Sequence, residues 1–103
     1  MADWVKVASL EDLEENGLIS VEAGGREIVL ARADDGVYAL EDCCSHQDYP
    51  LSEGEMDDGT VECALHGARF DVKTGKALSL PAIKPVDTFE VEVRDSDIYV
   101  KVE

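Results

Sequence analysis

The sequence predicts an all-β domain, an antiparallel sandwich or small barrel. Short segments rich in β-branched residues recur along the 103 residues, and turn signals that contain glycine separate them. Helical patterning is nearly absent: residues 10–16 alone predict a helix, with Ser9 as the N-cap and Gly17 as the stop. Many short strands joined by glycine turns are typical of antiparallel sheets rather than of α/β layers.

The strands are predicted in chain order, and the turns between them carry glycine. The first five segments are residues 4–7, 18–23, 27–33, 37–40 and 60–63. Glycine turns at 24–25, 34–36, 57–59 and 74–75 predict hairpins. Apolar residues then alternate at 89, 91 and 93 and at 98, 100 and 102, which predicts a terminal hairpin with one buried face. Residues 43–55 and 64–68 fit no strand pattern and are expected to be loops.

Length and hydrophobicity predict one domain over residues 1–103. The chain is long enough to bury a modest core but not two independent ones. No apolar run approaches the roughly 18 residues that a membrane helix needs. The N-terminal residues lack the basic start and apolar stretch of a secretory signal, so we expect a cytoplasmic protein without a membrane partner.

The charge balance is strongly acidic, with 24 acidic against 9 basic side chains and a formal net charge of -15. Phosphate would be repelled, which argues against a nucleic-acid partner and favours a basic protein surface. Acidity that merely keeps the protein dissolved, or that reflects a salty cytoplasm, remains an alternative.

Cysteine and histidine occur together in two short motifs. The chain has three cysteines, an unsuitable number for a disulfide framework, and each of its two histidines closes a motif that a cysteine begins. The motifs are Cys44-Ser45-His46 and Cys63-Ala64-Leu65-His66, and residues 47–62 separate them. A hairpin from residue 55 to residue 63 would return the second motif to the first, so that four ligands could surround one metal centre. Structural zinc also accepts mixed ligands, although its usual motifs are spaced differently.

The spacing resembles that of the Rieske-type ferredoxins, whose pattern is CxH, a gap of similar length, and CxxH. The resemblance covers essentially the whole chain, through residues 50–54, 66–67, 69–71, 74–75 and 80–82. One departure is Ala64, where the family frequently has proline. The resemblance implies a Rieske-type antiparallel β-sandwich, with a cluster-binding subdomain of two loops at about residues 43–55 and 63–71.

The resemblance also implies one [2Fe–2S] cluster. Cys44 and Cys63 would hold the inner iron, and His46 and His66 the outer iron nearer solvent. Cys43, which precedes the first ligand, is expected to be a small buried hydrophobe. The proline at position 81 resembles the family's loop over the cluster, but an ordinary turn proline is an equal alternative.

The resemblance further implies a low reduction potential within the class. High-potential members carry a disulfide and hydroxyl groups near the cluster. Here the corresponding positions are Tyr49, Leu65, Ala68 and Phe70. Without that disulfide and those hydroxyl donors, less positive electrostatic potential would act on the cluster sulfurs, which lowers the reduction potential.

The implied function is that of an electron carrier and not of an enzyme. No nucleophile with a neighbouring base and no phosphate loop is recognisable in the sequence. The family implies transfer of single electrons from an NAD(P)H-dependent flavin reductase to a terminal, aromatic ring-hydroxylating oxygenase, and we expect a monomer. The alternatives are a small subunit like that of assimilatory nitrite reductase, a carrier for iron–sulfur assembly, and a zinc-stabilised interaction module.

Overall fold

The computed structural model describes residues 3–33, 35–42, 50–57, 59–63, 67–78 and 85–102. These residues form ten strands: β1 (Asp3–Ser9), β2 (Leu18–Ala23), β3 (Arg26–Ala33), β4 (Gly36–Glu41), β5 (Glu55–Asp57), β6 (Thr60–Glu62), β7 (Arg69–Asp71), β8 (Thr88–Phe89), β9 (Val91–Arg94) and β10 (Asp97–Val102). Two short 3₁₀ helices lie at Leu10–Asp12 and Leu51–Glu53. The all-β prediction is confirmed.

The strands form three antiparallel sheets. Their orders are β1-β10-β9, β2-β3-β4-β8 and β5-β6-β7. Every pairing between neighbouring strands is antiparallel. The four-stranded sheet is the middle layer, because its residues pack in both of the hydrophobic cores.

Strand β3 shows why the middle sheet is buried on both sides. Its four apolar residues from Ile28 to Ala31 are all inaccessible to solvent, and alternate residues belong to different cores. The distal core consists of Leu13, Ala23, Ile28, Leu30, Ala39, Ile98, Val100 and Val102. The proximal core, so named because it contains Cys63, consists of Val29, Ala31, Leu40, Leu51, Val61, Cys63, Ala68, Phe70, Val72 and Val86.

The predicted hairpin turns are present where the glycine pairs and acidic turns occur. Gly24 and Gly25 have φ of +58° and +79°, which suits the two-residue turn between β2 and β3. Asp95 and Ser96 adopt the same left-handed region between β9 and β10, with φ of +50° and +71°. The glycine pair predicted the first turn, and the second joins the two strands of the predicted terminal hairpin without a glycine.

The predicted helix at residues 10–16 is wrong in length. Ser9 does cap it, since its backbone N–H donates to Asp12 Oδ2 at 3.2 Å and its Oγ accepts from the N–H of Glu11 at 3.4 Å. The helix nevertheless ends at Asp12, and Asn16 turns the chain at φ +57° towards β2. In the described part of the chain, no helix is long and apolar enough to cross a membrane.

The predicted C-terminal hairpin is correct for residues 91–102 but not for Phe89. Ile98, Val100 and Val102 are buried as the alternation predicted. Phe89 instead belongs to β8 and pairs with Ala39 of the middle sheet, so the chain changes sheet at Glu90. Val93 is 42% exposed although it pairs with Ile98. Alternation alone does not report which sheet a short strand joins.

Candidate metal centre

Cys63 is the predicted ligand that lies within the described residues. It follows directly on β6, is 2% exposed and belongs to the proximal core. The other predicted ligands, Cys44, His46 and His66, lie outside the described residues, as does Cys43. The predicted proline loop at residues 80–82 is also outside them. The described part of the site therefore consists of Cys63 and the residues that flank the two motifs.

The second segment, residues 63–68, is closed by backbone hydrogen bonds. The N–H of Cys63 donates to the carbonyl of Ala68 at 2.7 Å, and the N–H of Gly67 donates to the carbonyl of Cys63 at 3.0 Å. Gly67 has φ +74°, a conformation that glycine adopts without strain. Strand β7 begins at Arg69, so part of the loop predicted at about 63–71 is strand.

The first segment, residues 43–51, is bounded by Asp42 and Ser52, and side-chain hydrogen bonds join these two residues. Asp42 Oδ1 accepts from the N–H of Ser52 at 2.8 Å. Asp42 Oδ2 accepts from the hydroxyls of Ser52 at 2.9 Å and of Ser20, on β2, at 2.8 Å. Among the described residues Asp42 is the one buried charged side chain, at 6% exposure. Both ends of the first segment are thereby fixed to each other and to the middle sheet.

Asp42 is a residue that the sequence did not single out. It is one of 24 acidic residues, and the only available signal was its place between an apolar strand and the first cysteine motif. Partner hydroxyls at positions 20 and 52 follow from the packing of β2 against the 3₁₀ helix, which local patterning does not predict.

The two segments meet at the hairpin of β5 and β6. Glu55 pairs with Glu62, so the strand that leaves the first segment lies beside the residue that precedes Cys63. This confirms the predicted hairpin. Gly54 lies so close to this strand that a Cβ atom there would overlap the carbonyl oxygen of Glu62. A side chain is excluded at this contact, which brings the first segment's exit directly against the second.

A cavity of about 280 Å³ opens beside this contact. Its described lining includes three acidic side chains and no basic one: the residues are Glu53, Gly54, Glu55, Glu62, Cys63 and Gly67. Glu62 forms an ion pair with Arg69 at 3.4 Å on the neighbouring strand β7. The described mouth of the site is thus predominantly acidic.

The surroundings of Cys63 suit an iron–sulfur cluster. A cysteine thiolate is a soft ligand of the kind that such clusters use, and this one lies at the border between the cavity and an apolar core. Ala68 and Phe70, both inaccessible to solvent, belong to that core. The described residues fit a cluster that is shielded on its protein side.

An exposed ion pair joins the β5-β6-β7 sheet to the middle sheet. Lys73, in the turn after β7, pairs with Asp35 of the β3–β4 turn at 2.6 Å. Hydrogen bonds from Lys73 and then from Tyr38 lower the pKa of Asp35, and Asp35 raises the pKa of Lys73. Desolvation, followed by the hydrogen bond with Asp35, raises the pKa of Tyr38.

Comparison with known proteins identifies the family. The model of the Rieske [2Fe–2S] domain matches residues 3–90. The chain belongs to the Rieske [2Fe–2S] domain family. It is 35% identical over 101 residues to the ferredoxin component of the naphthalene 1,2-dioxygenase/salicylate 5-hydroxylase systems of Ralstonia sp., covering 98% of this chain and 97% of the relative.

Two further proteins show the same likeness. The ferredoxin component of biphenyl 2,3-dioxygenase from Rhodococcus jostii (strain RHA1) is 41% identical over 98 residues, which cover 95% of this chain and 92% of the relative. A chain in the complex of reduced oxygenase and oxidized ferredoxin of carbazole 1,9a-dioxygenase superposes with a TM-score of 0.88 at 38% identity. This match covers 94% of this chain and 91% of that one.

Family membership settles the cofactor and the kind of protein. The Rieske domain carries one [2Fe–2S] cluster, so the zinc-stabilised module that the ligand chemistry also allowed is wrong. The chain is an electron-transfer protein rather than an enzyme, as its ferredoxin relatives are.

Proposed function

We propose that Cys44, His46, Cys63 and His66 hold the Rieske cluster, with the thiolates on the inner iron and the imidazoles on the outer iron. The observation that carries this assignment is the pairing of Glu55 with Glu62, which places the exit of the first segment beside Cys63. The cluster, when bound, accepts and releases one electron at a time. Cys43, next to the first ligand, is proposed to stay outside the ligand set.

We further propose that the chain carries electrons from an NAD(P)H-dependent flavin reductase to a terminal, aromatic ring-hydroxylating oxygenase. Support comes from the relatives, which are ferredoxin components of dioxygenase systems, and from the carbazole 1,9a-dioxygenase structure, in which a ferredoxin is bound to an oxygenase. The protein would act as a cytoplasmic monomer that meets its two partners in turn. These relatives favour this role over a nitrite reductase subunit or a carrier for iron–sulfur assembly.

The proposed electron donor and the proposed recipient would both have to dock against an acidic surface of this chain. Glu53, Glu55 and Glu62 line the described part of the cavity at Cys63, and the whole chain carries a net charge of -15. Basic side chains around the partners' docking sites would accelerate encounter by electrostatic steering.

The potential of the cluster is proposed to lie near the low end of the Rieske range of about -150 to +300 mV. Ala68 and Phe70 supply neither a hydroxyl donor nor a disulfide sulfur, and both are buried in the proximal core that contains Cys63. Fewer donors to the cluster sulfurs leave the reduced cluster less stabilised.

Spectroscopy of the purified protein tests the cluster assignment. We expect the visible absorption of an oxidised Rieske centre, its low-temperature EPR signal after reduction with dithionite, and two irons and two sulfides per chain. A colourless protein that contains zinc and gives no EPR signal after dithionite would contradict the proposal.

Reconstituted electron transfer tests the partners. A candidate flavin reductase and a candidate ring-hydroxylating oxygenase are mixed with this chain, and NADH or NADPH is added. We expect the oxygenase to consume its aromatic substrate only when this chain is present, at a rate that falls as salt rises. Turnover at the same rate without the chain would contradict the carrier role, and a rate independent of salt would contradict the electrostatic contribution.

A further inference from the structure

We propose that Asp42 is a positioning residue for the first ligand segment, because its buried carboxylate holds together the two ends of the chain between which Cys44 and His46 lie. This inference rests on the proposed function, in which those two residues are ligands. Asp42 itself is not a ligand in this scheme and acts through its hydrogen bonds to Ser52 and Ser20.

The contacts of Asp42 span three separate parts of the chain. Asp42 follows β4, Ser52 lies in the 3₁₀ helix after the first segment, and Ser20 lies on β2. Three donors within 2.9 Å reach the two carboxylate oxygens. A buried carboxylate is tolerated only when such donors replace water, so these bonds determine one arrangement of the segment's ends.

The neighbour of Ser52 strengthens this closure. Leu51 is inaccessible to solvent and packs in the proximal core together with Cys63. The carboxylate therefore fixes the chain at Ser52, next to a residue that packs in the same core as the first residue of the second segment. The separation of the ligands in the first segment from Cys63 depends on this anchor.

The charge of Asp42 has a second consequence, which can be measured independently. No Lys or Arg within the described ranges forms an ion pair with it, so its partners leave the net negative charge in place. Asp42 is two residues from Cys44, so the Cα atoms of the two residues lie no more than about 7 Å apart. A negative charge carried this near to a ligand in the chain would make it harder to add an electron to the cluster.

Two substitutions separate the hydrogen bonds from the charge. In Asp42→Asn the amide oxygen still accepts from the Ser52 N–H, and the amide nitrogen donates to the two serine hydroxyls, which can rotate to accept. We expect this variant to retain the cluster and to have a raised reduction potential. Asp42→Ala removes all three bonds, and Ser52→Ala removes the one from the Ser52 hydroxyl.

The measurements use the holoprotein. Cluster release into EDTA is followed by the loss of visible absorbance, and EPR g values and the potential are recorded for the remaining holoprotein. We expect Asp42→Ala to release its cluster roughly tenfold faster and to change its g values, with Ser52→Ala between it and the wild type. Glu22→Gln, an exposed change of the same charge on β2, is the matched control and is expected to move the potential less than Asp42→Asn.

The outcomes distinguish the inference from the ligand assignment. Wild-type protein without a Rieske EPR signal would contradict the ligands and, with them, the role of Asp42. A wild-type signal, combined with unchanged release and g values in Asp42→Ala and Ser52→Ala, would overturn the role of Asp42 alone, even if thermal stability fell. An equal potential in Asp42→Asn and Glu22→Gln would overturn the effect of the Asp42 charge on the cluster. If Asp42→Ala does not fold, Asp42→Asn and Ser52→Ala decide.

Discussion

The first ligand segment is closed by side chains, whereas the second is closed by its own backbone. Asp42 joins the ends of the first segment by accepting from Ser52, and the N–H groups of Cys63 and Gly67 close the second. Backbone closure persists under any substitution that preserves the local φ and ψ angles. Side-chain closure depends on the identity of one or two residues, so the first segment is the more sensitive to substitution.

The two segments also differ in what surrounds them. The second begins at Cys63 and ends at Ala68, and both residues are buried in the proximal core. The first also ends in that core, at Leu51, but its ends are joined by the buried polar contact between Asp42 and Ser52. Hydrophobic packing holds the second segment from both ends, while the first relies on a carboxylate and on Leu51 alone.

The largest expected effect is common to both segments. We predict that His46→Ala and His66→Ala each abolish the Rieske EPR signal, because each removes one of the two imidazoles from the same iron. Cys43→Ser is the matched control and is expected to keep the signal. EPR of dithionite-reduced protein measures all three.

Retention of the signal by either histidine variant would refute the ligand assignment for that segment. Loss of the signal in Cys43→Ser, with the fold intact by circular dichroism, would move the first ligand from Cys44 to its neighbour. Either result would undo the comparison of the two segments, because the residues that each segment holds in place would then not be the proposed cluster ligands.

The next largest effect is expected where the two segments touch. Gly54→Ala places a Cβ atom against the carbonyl oxygen of Glu62, and neither backbone can yield without disturbing the β5–β6 pairing. We predict a loss of roughly 2–3 kcal/mol in the free energy of unfolding and faster cluster release into EDTA.

Gly25→Ala is the matched control for this substitution. It has φ +79° in the β2–β3 turn, and no atom in the described part of the chain lies within 4 Å of a Cβ atom there. It is expected to cost only backbone strain and to release its cluster at the wild-type rate. Equal cluster release from both alanine variants would show that contact between the segments does not govern cluster retention.

Much of the fold was predictable because its signals are local. The glycine pair at residues 24–25 and the alternation in residues 98–102 each specify a conformation within a few residues. Strand β7 was not predicted, because its residues fell in the loop expected at about 63–71, and the two residues of β8 are too few to show a period of their own. Phe89 was assigned to the wrong sheet for the same reason.

The candidate site divides in the same way. The ligand pattern and the hairpin that leads to Cys63 were readable from residue types and spacing, although the ligand assignment itself remains a proposal. Asp42 was not recognised, since its role arises when Ser20, which is far from it in sequence, packs beside it. Such long-range polar contacts leave no periodic trace in a single sequence.

A smaller effect is predicted inside the second segment. Gly67→Ala forces alanine into φ +74°, which costs about 1 kcal/mol, although among the described residues a Cβ atom there would meet only Glu62 Oε1, at an ordinary 3.4 Å. The midpoint of thermal unfolding should fall by about 4–8 °C. Gly67→Asn should lose less, because asparagine tolerates this conformation. An asparagine variant as unstable as the alanine variant would show that crowding, and not φ, limits this position.

The smallest effect is expected at the exposed ion pair of Lys73 and Asp35, which joins two sheets; like the contacts of Asp42 it depends on side chains, but at about half exposure. Because Lys73 lowers the pKa of Asp35, the pair stabilises the fold above the unfolded pKa near 3.8 and loses its effect as pH falls through the lowered value. Lys73→Gln should raise the pKa of Asp35 in a carboxyl NMR titration, with Lys76→Gln as control, and should leave the cluster potential unchanged. A changed potential in Lys73→Gln would mean that exposed side-chain contacts also position the cluster, whereas an unchanged one would restrict that role to buried contacts such as Asp42.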